Sequence, residues 1–141
     1  MAASAFDAGR LLRLLVVALV VVSALVGCNG GTVDRHALKQ DSDAIDSLAC
    51  EGALLARDVA KGRSTLYFAR VHADELAVRA SHFGDALSDR PTLEPIRAKV
   101  RDEARKAGRI ARLLDELHRH PADGGVAERL RPRLEHEGDC S

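Results

Sequence analysis

Aromatic side chains are scarce: the 141 residues hold no Trp, a single Tyr (Tyr67) and three Phe (Phe6, Phe68 and Phe83). Stacking platforms for single-stranded nucleic acid or for sugar rings need more of them, so neither ligand class is expected. A dominant sign of charge is lacking as well, with 21 Lys plus Arg against 21 Asp plus Glu. No overall field draws such a chain onto nucleic acid or an acidic membrane surface. Strand-like alternation and internal repeats are absent. So are a nucleophile elbow, a phosphate loop, a Cys-x-x-Cys pair and zinc-ligand spacing, which leaves neither an enzyme nor a bound cofactor as the expectation. What is present is a helical composition: 46% hydrophobic and 30% charged residues, with Gly and Pro sparse over the middle of the chain. The length suits one hydrophobic core and not two.

The longest uncharged apolar run, residues 14–26, follows Arg10 and Arg13. A positive segment ahead of an apolar one is the pattern of an export signal. As a helix this run would reach about 20 Å, against a hydrocarbon core of roughly 30 Å, so it suits a cleaved signal better than a permanent span. It closes on Leu25-Val26-Gly27-Cys28. These four residues resemble the lipobox of bacterial lipoproteins, in which an aliphatic residue, a small or aliphatic residue and Gly or Ala precede an obligatory Cys. The resemblance identifies a processing class and leaves the downstream fold open. It implies that a diacylglyceryl group is joined to the Cys28 thiol, that residues 1–27 are removed, and that Cys28 becomes the first residue of the mature chain. The protein would then sit in the cell envelope, anchored to the outer face of the cytoplasmic membrane or to the outer membrane. Two or three acyl chains hold a protein at a bilayer far more firmly than one.

Residues 28–41, which include Asn29-Gly30-Gly31-Thr32, read as the lipidated cysteine and a flexible tether, and 42–141 as the folded domain. Ile45, Leu48, Gly52, Leu55 and Val59 recur at spacings of three and four, which predicts a first helix over about 43–60. Gly62 follows, and a turn there is preferred to a helix running on through it. Leu66, Ala69, Ala73, Leu76, Ala80, Phe83 and Leu87 form an unbroken heptad pattern for a second helix over 64–88. Pro91 at a first turn opens a third over 91–120, ended by Pro121, and Val126, Leu130 and Leu134 mark a fourth over 123–137. Pro132 makes the second half of that helix uncertain. The fold class is all-α, most economically a small antiparallel up-and-down bundle of three long helices and a shorter fourth; a three-helix bundle with a tail is the alternative.

Cys50 and Cys140 provide a geometric test. In an up-and-down order Cys50 lies roughly 16 Å below the top of the first helix, and the descending fourth helix carries Cys140 down by roughly 22 Å. The two fall at similar levels, and an exported domain permits the disulfide; two free thiols are the alternative.

The six histidines do not form a metal motif. Asp115-x-x-His118 is a lone approximation to a di-iron sequence, and His118 and His120 point in opposed directions on a helix, so no metal site is expected. His72, Glu75, Arg79 and His82 share one face of the second helix away from its heptad, a possible interaction face. The third helix is locally basic, and i,i+4 partners together with the acidic first helix can absorb much of that charge; anionic lipid headgroups are a further possible partner. The expectation is a lipid-anchored binding or structural module at the cell envelope that meets a protein partner through a helical face. A metal- or small-ligand-binding protein using surface histidines is the alternative.

Overall fold

The computed structural model describes residues 32–140. Four α-helices make up this part of the chain: α1 Arg35–Ala60, α2 Leu66–Asp89, α3 Arg97–Arg119 and α4 Gly124–Gly138, with a 3-10 turn Glu94–Ile96 before α3. The all-α class is as the periodicity requires. The largest packing surfaces join α2 to α3 and α1 to α4, and the short connections suit an up-and-down order.

Helix α1 begins about eight residues earlier than the apolar pattern suggests. Asp34 is its N-cap and accepts a hydrogen bond from the Ala37 amide at 2.8 Å, satisfying one of the amides orphaned at a helix start. Leu38, buried, extends the heptad of Ile45 backward by two turns. Half of the segment expected to be lipidated cysteine and flexible tether, residues 35–41, is therefore helix. Val33 just before it is fully buried, its amide donates to the Pro91 carbonyl at 2.9 Å, and it forms an isolated parallel bridge with Thr92.

The turn after α1 is real: Gly62 takes φ +64, a left-handed conformation that costs glycine little. Thr65 caps α2, accepting from the Phe68 amide at 3.2 Å. The start of the third helix is displaced in turn. Pro91, Thr92 and Leu93 belong to the connector, where Pro91 and Thr92 are occupied by Val33; Pro95 sits in the 3-10 turn, and regular α3 begins at Arg97. Asp123 caps α4 by accepting from the Val126 amide at 3.0 Å. Helix α4 continues through Pro132 without a break. Pro132 and Glu128, whose carbonyl loses its usual donor, both lie on the exposed side, where water can substitute.

Leu, Ile, Val and Ala fill the core, with Ile45, Leu76, Leu87, Ile110, Leu114, Leu117, Leu130 and Leu134 completely enclosed. Cys50 on α1 and Cys140 just past α4 are joined in a disulfide, their Cα atoms 5.5 Å apart. Gly138 makes that approach feasible, because a Cβ there would lie 2.7 Å from Cys50 Sγ and 2.8 Å from both Asp46 O and Cys140 Sγ.

The bond joins residues 90 apart in sequence, and the loop-entropy model assigns it about 4–5 kcal/mol. The paired substitution Cys50→Ala with Cys140→Ala is expected to lower the urea-unfolding free energy by up to that amount. Gly138→Ala, which overpacks the same junction, should cost about 1–3 kcal/mol even with the thiols oxidised.

Candidate interaction face

The buried side of α2 is lined by Ala69, Ala73, Leu76, Ala80, Gly84 and Leu87. At 100° per residue Tyr67, Val71 and Val78 fall within about 40° of one another on the opposite side. Together with Phe68 they are 46% to 77% exposed. Five of the seven large exposed apolar side chains among the described residues belong to α2, a concentration that marks this helix as the one with an uncovered apolar strip. Leu54 on α1 is exposed as well.

The four polar residues singled out on α2 do not act as one group. His72 turns toward α1, where its Nε2 lies 2.9 Å from Glu51 Oε1 and its ring stacks on Phe68 with centroids 5.2 Å apart. Glu75, Arg79 and His82 are exposed and make no ion pair among the described residues. They border one side of the apolar strip, and exposed Asp74 falls within it between Val71 and Val78, so the face mixes Tyr67, Val71 and Val78 with charged groups. Leu66, the first residue of the heptad pattern, is more than half exposed, and Phe83 is half-buried; the heptad is enclosed only from Ala69. The strip is hard to read from sequence because its residues lie off the heptad. Its signal is the second apolar spacing of four and seven through Tyr67, Val71 and Val78.

The other histidines are dispersed. His36 Nε2 lies 3.2 Å from the Gln40 amide, and His118 Nδ1 lies 3.0 Å from the Arg70 carbonyl oxygen. Among the described residues no three His, Cys, Asp or Glu side chains gather to hold a metal ion. Cys28 and the lipobox residues Leu25, Val26 and Gly27 lie outside the described residues.

Ion pairs take up much of the basic charge of α3. Arg97, Arg105 and Arg119 meet Glu94, Asp102 and Asp115 of their own segment, and Lys106 reaches Asp46 of α1. Arg90, just past α2, pairs with Asp41 of α1. A further partner comes from α4. The Arg109 guanidinium donates to Glu137 through Nε to Oε1 at 2.7 Å and Nη2 to Oε2 at 2.9 Å, the paired geometry that suits guanidinium and carboxylate. This fork holds the Glu137 carboxyl below its ordinary range, first through the hydrogen bonds and then through the attraction of Arg109, Lys106 and His136, against the opposing effect of burial.

Comparison with known proteins finds no matching family model, curated protein or solved structure.

Because the folded-state pKa of Glu137 is depressed, its contribution to stability is present above the unfolded carboxylate pKa and disappears as pH falls through the folded value. Glu137→Gln should therefore be less stable than the parent at neutral pH, and the gap should close in acid. Urea melts of both proteins across the acidic range measure this; a gap independent of pH would contradict it.

Proposed function

We propose that the protein is a lipid-anchored lipoprotein of the bacterial cell envelope, whose helical domain acts outside the cytoplasm as a binding module for another envelope protein. The Leu25-Val26-Gly27-Cys28 sequence behind its charged and apolar leader carries the anchoring part of this reading. The Cys50 to Cys140 disulfide supports it, since such bonds persist in oxidising compartments and are rare in a reducing cytosol. The binding part rests on α2: exposed Tyr67, Val71 and Val78, with Asp74 among them and Glu75, Arg79 and His82 along one side, combine apolar and charged groups on one face, as protein contacts do.

Mass spectrometry of the protein from native membranes tests the anchor. The mature chain should begin at Cys28 and carry acyl chains, and Cys28→Ser should lose both the added mass and retention in the membrane fraction. Unchanged mass and retention in the variant would refute the anchoring. For the face, a photo-crosslinking residue at position 67 should capture a discrete protein neighbour in intact cells, and Val71→Asp should abolish that capture while leaving the thermal melt within about 4 °C, as expected of an exposed site whose stability effect is small.

A further inference from the structure

The path of the chain into the bundle orients the domain on its membrane. Val33 is fully buried and held by the Pro91 carbonyl and the bridge to Thr92, so the chain enters at the connector between α2 and α3. Between Cys28 and Val33 stand only residues 29–32, and fully extended they permit a separation of about 18 Å. A lipid on Cys28 thus confines the connector to the neighbourhood of the headgroups, whatever path those residues take.

The connector has the surface such a neighbourhood requires. Leu93 is 53% exposed at its apex, and Pro91 and Pro95 on either side are exposed too. Beside it runs an open groove of about 770 Å³ whose lining includes Arg35, Pro95 and Lys99. Arg35 and Lys99 make no ion pair among the described residues. Of the three carboxylates lining the same groove, Asp43 is paired with Lys39 and Asp102 with Arg105, while Glu103, with Oε2 buried and without a hydrogen-bond partner, has no ion pair among the described residues; beside the groove Glu94 is taken by Arg97. Two cations beside an exposed Leu and two prolines offer phosphate contacts around an apolar tip, although the net charge of the chain is zero.

We infer that the α2 to α3 connector is a second membrane contact: Leu93 enters the headgroup layer, Arg35 and Lys99 meet lipid phosphates, and the bundle stands end-on. This rests on the proposed lipidation of Cys28. Tyr67 lies near the opposite end of α2, about 33 Å along the helix from Asp89. End-on placement therefore holds the apolar strip's Tyr67 end away from lipid.

The test uses the full lipidated protein added to preformed vesicles of phosphatidylethanolamine and phosphatidylglycerol. Leu93→Cys and Tyr67→Cys are labelled separately with an NBD fluorophore, the disulfide leaving the introduced thiol free to react. Emission from position 93 should shift to the blue and its reduction by dithionite should slow severalfold, while position 67 should behave as in water. Arg35→Glu combined with Lys99→Glu should bring the rate at 93 toward that at 67. Equal exposure of both labels on vesicle-bound protein, or protection at 67 alone, overturns the orientation and leaves the anchor intact. Purified protein whose mass lacks acyl chains, with no labelled variant binding vesicles, overturns the anchor and this inference together.

Discussion

Close approach of helix backbones is the constraint on which this bundle depends. With almost no aromatic residues to fill space, the core must be closed by Leu, Ile, Val and Ala, and these reach interior density only when the helices lie near one another. Small residues stand where that is needed. A Cβ on Gly52 of α1 would come within 2.5 Å of Leu114 Cδ2 and 3.5 Å of Leu134 Cδ1, so one glycine admits side chains from both α3 and α4. On the other side Ala69, Ala73, Ala80 and Gly84 let α2 down onto α3. Gly138 repeats the device at the disulfide, where the absence of a side chain lets α4 meet α1.

The same closeness determines how the charges are arranged. Asp41 meets Arg90, Asp46 meets Lys106 and Glu137 meets Arg109, each pair crossing from one element to another at the edge of the core. Breaking one partner of such a half-buried pair leaves the other poorly solvated, so the pairs disfavour sliding of one helix along its neighbour more than they add net stability. The exact balance of Lys plus Arg with Asp plus Glu is therefore partly a pattern within the fold, with acidic α1 and Glu137 of α4 facing basic α3. Where that pairing runs out, on the outer side of α2 and at Arg35 and Lys99 beside the connector, the surface carries exposed apolar groups next to charges without ion partners among the described residues.

The spacing of buried residues made the four helices legible, because one apolar stripe every three or four residues has no other economical solution. The disulfide was legible for a related reason: helix rise and an up-and-down order bring Cys50 and Cys140 to one level. The ends were less so. The first ten residues of α1, 35–44, carry only one strongly apolar core residue, Leu38, and a polar composition around it, so their helical state depends on the Asp34 cap and on burial that sequence alone does not display. Pro91 was a reasonable first-turn proline, but Val33 claims the backbone of that connector for a bridge between distant segments. The surroundings of the candidate face were hidden in the same way. His72, Glu75, Arg79 and His82 share a side in projection, yet Glu51 on a different helix draws His72 aside, and the exposed Tyr67, Val71 and Val78 emerge only once the core has taken the heptad.

The early start of α1 changes what a lipid on Cys28 would do. A flexible tether through residue 41 would let the domain wander over tens of ångströms, and any partner would have to order it on binding. With Val33 buried and Asp34 capping a continuous helix, the chain between anchor and rigid body shrinks to residues 29–32. On the proposed anchoring, most of the orientational freedom is then removed before a partner arrives, and the strip on α2 is presented within a narrow range of heights. Restricting a site in this way raises its effective concentration toward a neighbour in the same membrane without any new contact. A strip of three apolar residues is modest for binding from free solution, but the two-dimensional confinement and fixed height of an anchored bundle lower the affinity such a face must supply.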